Sequence, residues 1–192
     1  KVVIARWLLA RAQDLGITDV VHIPNAIDHD VFRVTRPIAG RPARVAMSFS
    51  TWHEWKGTDV GLQALRLAKE QVPELEAVLF GISSAPAGLE PWMTVVINPS
   101  QEQLVEEIYN GSCLYLCPSF TEGWHLPPAE AMACGCAVVS TDIGGVRDYA
   151  TDGQTAALVP VGDCEGLARE LVRLLRHPEA RQQQAARGQG AL

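Results

Sequence analysis

Several features that would place a protein quickly are missing from this chain. No apolar run approaches the roughly 20 residues a membrane span needs. The opening stretch, KVVIARWLLARAQDLG, carries no small-residue cleavage site and does not read as a secretory signal. Cysteine is present but unorganised. Cys113, Cys117, Cys134, Cys136 and Cys164 are odd in number and share no repeated spacing, which argues against a disulfide framework. Cys134-Gly-Cys136 is not a zinc spacing, and no histidine pair completes it, so no metal site is expected. These cysteines read as small buried residues in a reducing compartment. Positive charge is short: Lys and Arg total 16 against 22 Asp and Glu, a formal net charge of -6. Such a chain has no electrostatic footprint for DNA or RNA, and any anionic ligand must be held by local groups. The expected location is cytoplasmic, with any peripheral membrane contact made through parts outside this chain.

What is present is a globular pattern. The 192 residues are 47% hydrophobic and 20% charged, which suits one domain with a sizeable core. Short apolar runs recur at 20–23, 45–49, 77–80, 95–97, 113–117, 137–139 and 156–159. Most are continuous rather than alternating, as expected for strands buried on both faces of a parallel sheet. Amphipathic helices are predicted between them. In 5–15 the stripe is Leu8, Leu9, Ala12 and Leu15, with Gly16 as the stop; in 58–72 it is Val60, Ala64, Leu67 and Ala68, ended by Pro73. Leu104, Val105, Ile108 and Tyr109 form it in 102–110, and Leu167, Leu171, Leu174 and Leu175 in 164–176, where Asp163 is the expected N-cap. The stretch 34–44, with Pro37, Gly40 and Pro42, is a loop too short to divide domains, and no internal repeat is visible. Strand-helix alternation at this spacing predicts a doubly wound, Rossmann-like α/β domain. Ligands then belong in the loops beyond the carboxyl ends of the strands.

Four such loops carry chemistry. In STWHEWKGTD, residues 50–59, Lys56 lies just ahead of a helix. A cation beside a helix N-terminus is unfavourable by ~0.3–1 kcal/mol unless an anion sits between them. A phosphate suits that place; a solvated loop lysine is the plain alternative. Trp52 and Trp55 are read as packing residues, and Glu54 is expected to point away. In PSFTEGWHLPPAEAMACG, residues 118–135, a second helix begins near Pro127 or Pro128, and Gly123 lets backbone N–H groups approach a ligand. Glu122 lies in that loop, and Glu130 is placed in the first helical turn. Two carboxylates beside an anion site are costly unless they do something else, such as accepting hydrogen bonds from sugar hydroxyls. In STDIGGVRDY, residues 140–149, Gly144-Gly145 suits a tight turn. IPNAID, residues 23–28, reads as turn chemistry.

Together these segments resemble the C-terminal domain of GT-B glycosyltransferases of the large retaining family 4. The resemblance runs through IPNAID, WKGTDVGLQAL, the E-x7-E pair Glu122 and Glu130, TDIGGVRDY and LVPVGD, nearly the whole chain. It implies one Rossmann-like donor-binding domain over 1–192, half of a two-domain fold. Residues 1–18 would be the connection from an N-terminal domain outside this chain. It implies that a nucleotide diphosphate sugar, UDP- or GDP-linked, is the substrate, with no cofactor or metal. Lys56 would bind the diphosphate, with Thr51 beside it. Glu122 would contact hydroxyls of the transferred sugar, and Glu130 the ribose. Backbone N–H groups around Gly123, Trp124 and His125, ahead of Leu126, would hold the phosphate and donor sugar. Gly81 and Ile97 would lie near the base. The implied reaction keeps anomeric configuration, with growing charge on the leaving diphosphate stabilised by Lys56, N–H groups and a helix dipole.

Two residues depart from that pattern. Many members have arginine where this chain has Thr51, and glycine where it has His125. A histidine there either adds a donor or obstructs the pocket. A degenerate, non-catalytic module is therefore the alternative; an epimerase or phosphorylase of the same fold fits the EGWHLPPAE segment less well. The closing QQQAARGQGAL shows no evident helix returning to a partner domain.

Overall fold

The structure, a computed structural model, describes residues 1–192. Two short strands, β1 (Val2–Val3) and β2 (Val21–His22), pair in parallel around helix α1 (Arg6–Asp14). Then follow β3 (Arg44–Ser48), α2 (Thr58–Gln71), β4 (Glu76–Gly81), β5 (Met93–Ile97), a wide helix (Gln103–Tyr109) and β6 (Leu114–Cys117). The chain continues through α3 (Leu126–Ala133), β7 (Ala137–Thr141), β8 (Ala156–Val159), α4 (Cys164–Arg176) and α5 (Pro178–Gln189).

Strands β3 to β8 form one parallel sheet in the order β5-β4-β3-β6-β7-β8. The winding runs outward one way from β3 and the other way from β6, so the switch point lies between those two strands. The doubly wound architecture expected from the pattern is thus observed. The continuous apolar runs divide their residues between two faces, because successive strand side chains point opposite ways. Val45, Met47, Leu114, Leu116 and Val139 pack with Leu62 and Leu65 of α2 and Leu167 and Leu171 of α4. Ala46, Tyr115, Cys117 and Val138 pack on the other side with Ile108, Tyr109, Ala129 and Met132. Burying a Leu of this kind contributes about 1.5–3 kcal/mol.

Several expectations are corrected. In α2 the deepest residues are Leu62, Leu65, Ala64 and Ala68; Val60 and Leu67 are only partly buried. In α1 Leu15 is exposed, and Trp7 joins Leu8 against the core instead. The helix expected at 102–110 is present but wide, with the Asn110 N–H bonding the Val105 carbonyl, five residues back, at 3.0 Å. The expected cap of α4 is present: Asp163 Oδ1 accepts from the Gly166 N–H at 2.8 Å.

The largest correction is the tail. The closing QQQAARGQGAL, where no helix is evident in the sequence, belongs for the most part to helix α5, Pro178–Gln189. Its sequence hides this because an apolar stripe is not what holds it. Buried Arg181 donates to the Leu174 and Leu175 carbonyls, Gln184 Nε2 donates to the Val138 carbonyl of β7 at 2.9 Å, and Ala185 and Gly188 let the helix lie close. Four of the five cysteines are buried, Cys164 is partly exposed, and all are free. Burial raises the thiols of Cys113, Cys117, Cys134 and Cys136, so they behave as protonated small apolar residues.

Candidate functional site

The loops after β3 and β6 meet above the switch point, and two local features bring them together. A turn over Glu54–Lys56 ends at Gly57, in the left-handed region at φ 63, where α2 begins. A Cβ on Gly57 would lie 2.1 Å from the Pro118 carbonyl oxygen, so only glycine permits the approach. The Phe120 N–H then bonds the Trp55 carbonyl at 2.7 Å. Within the first loop, Thr58 Oγ1 donates to the Ser50 carbonyl at 3.0 Å and receives the Ser50 N–H at 3.1 Å.

This seam puts Lys56 Nζ 2.7 Å from Glu122 Oε1, with side chains 26% and 12% exposed. Ser119 Oγ donates to the same carboxylate oxygen at 3.1 Å. His125 stands behind the pair, its Nδ1 3.2 Å from Cys117 Sγ and its Nε2 3.6 Å from Glu122 Oε1. Burial, aided by the charge of Lys56, pushes the His125 pKa down to about 3, so the ring is neutral. The ring is 2% exposed, packed beneath the Lys56–Glu122 pair rather than turned out to solvent.

Glu130 does not sit in the first turn of α3 as expected; it is the fifth helical residue, so the helix dipole is not its reason for being there. Its Oε2 accepts from the Tyr109 hydroxyl at 2.9 Å, and its other oxygen carries no hydrogen bond. Burial raises this carboxyl above the usual range, and the tyrosine bond offsets part of that. Tyr109 was read only as a member of an apolar stripe. Its buried hydroxyl, which needs a partner, was the available signal.

Gly123 lies at the tip of the second loop, and its carbonyl is held by Trp7 Nε1 at 2.7 Å. Trp124 is buried, its ring packed against Tyr149 at 4.7 Å, so only its backbone faces the loop. Leu126 opens α3 and is exposed. Thr51 is exposed; its N–H donates to Ser83 Oγ at 3.0 Å, and no cation takes the place of the missing arginine. Arg44 is at the far end of β3, paired with Glu76. Gly81 and Ile97 face each other in register at the ends of β4 and β5. No hydrogen bond or ion pair joins them to Lys56, Glu122 or His125. Gly81 is explained by packing, since a Cβ would meet the Phe49 carbonyl oxygen at 2.5 Å. Gly144 and Gly145 likewise make room for protein, the first for the Trp7 ring and the second for the Gly123 backbone. Asp28 makes the expected turn by accepting the Asp30 N–H.

Trp52 and Trp55, expected to be packing residues, are 63% and 47% exposed on the rim. An open groove of about 560 Å³ beside them is lined by Ser50, Thr51, His53, Gly57, Thr58 and Phe120. A slightly larger hollow of about 610 Å³, with Arg44, Glu76 and Trp92 in its wall, opens at the amino ends of the strands, where sheets of this kind do not take ligands. No three His, Cys, Asp or Glu side chains are grouped to hold a metal ion. No helix is long and apolar enough to cross a membrane.

Comparison with known proteins gives the chain its family. The D-inositol 3-phosphate glycosyltransferase of Thermomonospora curvata is 32% identical over 148 residues, 68% of this chain and 34% of that protein. The phosphatidyl-myo-inositol mannosyltransferase of Mycobacterium leprae is 28% identical over 197 residues, 97% of this chain and 51% of that one. This chain therefore spans about a third to a half of the length of these curated relatives. Among solved structures, Anabaena HepE in complex with UDP and glucose superposes with a TM-score of 0.81 at 18% identity, covering 98% of this chain and 56% of that one; the likeness is one of fold. The sequence profile described as "Glycosyl transferases group 1" matches residues 43–177, from the start of β3 to the end of α4, and the chain belongs to that family.

Proposed function

We propose that this chain binds the donor of a retaining glycosyltransferase: it holds a nucleotide diphosphate sugar, and a second domain of the GT-B kind brings the acceptor. The observation that carries this reading is the position of Lys56 and Glu122. One follows β3 and the other follows β6, so they straddle the switch point at the carboxyl edge, the place where doubly wound sheets take their ligands. In this reading Lys56 leaves Glu122 and turns to the diphosphate, and the carboxylate is freed for hydroxyls of the donor sugar. The N-terminus of α3 and the N–H groups from Gly123 to His125 add positive potential where the leaving diphosphate gains charge. Glu130, anchored by Tyr109, offers its free oxygen to the ribose. Leu126, Thr51, Gly81 and Ile97 would line the remaining contacts.

The bond that breaks joins the anomeric carbon to the diphosphate, and the electron pair leaves with the phosphate oxygen. The acceptor hydroxyl enters on the same face and passes its proton to the departing phosphate oxygen. UDP- and GDP-linked sugars are both candidates, and UDP is the nucleotide named with the Anabaena structure. Glycans, lipids and small molecules remain candidate acceptors; the Mycobacterium leprae relative is named for mannosyl transfer to a phosphatidyl-inositol. We place the protein in the cytoplasm, with any membrane contact made outside this chain, and with no cofactor. By itself the chain is expected to bind nucleotide and to transfer nothing. A degenerate module that only binds is favoured by one observation, the uncharged Thr51 beside Lys56.

The test is thermal unfolding with UDP, GDP, ADP, dTDP and their sugars, for the parent and Glu130→Ala. Ligand at 100 times its dissociation constant stabilises by ~2.7 kcal/mol. A shift with one nucleotide, weakened in Glu130→Ala, supports the reading. No shift with any of them, in this chain and in a longer one containing it, overturns the reading.

A further inference from the structure

The donor-binding reading uses the backbone N–H of His125 but leaves the unusual position of its side chain unexplained. Its backbone is left-handed, at φ 70, which carries the side chain inward rather than out into the loop. Its Nδ1 meets Cys117 Sγ at 3.2 Å, while its Nε2 is buried and has no hydrogen-bond partner. Cys117 lies at the end of β6, where burial raises its thiol and keeps on sulfur a proton that Nδ1 can accept in one of the two ring tautomers. A neutral ring accepting at Nδ1 carries its proton on Nε2. That Nε2–H faces Glu122 Oε1 from 3.6 Å, too far for a hydrogen bond.

The reason for the gap is on the same oxygen. Glu122 Oε1 already takes Lys56 Nζ at 2.7 Å and Ser119 Oγ at 3.1 Å. A third donor closes in only when one of these two departs, and a diphosphate attracts Lys56, not Ser119. We propose that His125 is a positioning residue for Glu122: its Nε2–H takes over the carboxylate oxygen that Lys56 releases, so the second oxygen keeps its aim when the donor sugar arrives. This rests on the reading of Lys56 as the diphosphate ligand. It makes the Cys117–His125–Glu122 row a support that is complete only in the liganded state.

The experiment has two arms, both on the intact protein. Nitrogen–proton correlation spectra of isotope-labelled histidine should show the His125 proton on Nε2 without ligand, and should show it moving downfield when UDP or GDP is added. In the second arm, dissociation constants are measured for UDP, GDP and their sugar conjugates with His125→Gln and His125→Asn. The glutamine amide nitrogen falls near the Nε2 position; the asparagine amide falls near Nδ1. The gain in affinity from the attached sugar, taken as the ratio of each sugar conjugate to its bare diphosphate within the same variant, should fall by about tenfold in His125→Asn and survive in His125→Gln. A proton on Nδ1, or equal loss in the two variants, overturns the proposal. A Lys56→Gln variant that binds UDP and GDP as tightly as the parent instead overturns the reading beneath it, whatever the histidine spectra show.

Discussion

Of the polar clusters in this molecule that hold a buried or half-buried cation, two do so in opposite ways. Arg41, in the loop before β3, is 7% exposed. Its Nη1 donates to the carbonyls of Tyr109 and Ser112, and its Nη2 to those of Arg36 and Cys134 and to Asn110 Oδ1. Only Nε lacks a partner. Its acceptors are fixed dipoles from three separate segments, and none of them can leave. Burial lowers its pKa, and the oxygen cage keeps the charge in place. Lys56 has as its partner a carboxylate shared with Ser119, and an orphaned histidine nitrogen stands behind it. A cation caged by backbone holds a fold together, whereas one with a single exchangeable partner can change that partner for a ligand.

Substitutions can break or sharpen this contrast. Arg41→Ala should have the largest effect on stability, ~3–5 kcal/mol in urea unfolding, because several carbonyls lose their donor at once. The fraction that stays folded should bind nucleotide as the parent does; a loss below ~1 kcal/mol would erase the distinction drawn here. Gly57→Ala comes next, at ~2–3 kcal/mol, since the new Cβ runs into the Pro118 carbonyl in a left-handed backbone. Unlike Arg41→Ala it should also part the two loops, and calorimetry should find nucleotide binding lost along with stability. Lys56→Gln reverses the pattern. Stability should change by less than ~1 kcal/mol, while affinity for UDP or GDP should fall ~10–100-fold.

The smallest effect is on pH dependence. Burial raises the Glu130 carboxyl above its ordinary 4.5, so the folded chain binds its proton more tightly than the unfolded chain does. The stability linked to it is full below 4.5 and is lost as pH climbs through the raised value. Urea unfolding of the parent and Glu130→Gln at roughly pH 4 and pH 7 should show the parent losing ground only at the higher pH. Parallel behaviour of the two would mean that Glu130 is more solvated than its contacts suggest.

The sheet was legible because most of its strands hold a continuous apolar run, the mark that burial on both faces leaves. The helices with leucine stripes were legible for the same reason. Pro178–Gln189 was not, since Arg181 and Gln184 anchor it through carbonyls of neighbouring elements, and a sequence does not display carbonyls. Lys56 and Glu122 could be picked out because charge in a loop after a buried strand is conspicuous, and Glu130, in helix α3, through its E-x7-E spacing from Glu122. Their geometry could not. The 2.7 Å contact between Lys56 and Glu122 depends on how closely Gly57 passes Pro118, a matter of backbone separation. The inward turn of His125 depends on a backbone angle that histidine seldom adopts. Trp52 and Trp55 were misjudged because size alone suggests burial, and aromatic rings at a rim look the same in sequence as rings in a core.

One feature near the start of the chain shapes how the molecule comes apart. Short helices at the edge of a domain ordinarily open first and exchange their amide hydrogens freely. Helix α1 is tied instead to the loop that carries Glu122. Trp7 Nε1 bonds the Gly123 carbonyl at 2.7 Å, the Trp7 ring lies against Gly144, and Asp148 accepts the Arg6 N–H at 3.1 Å. Those three attachments make a segment at one end of the sequence and a loop more than a hundred residues away into one cooperative unit. Its amides should share a single protection factor, opening and closing together.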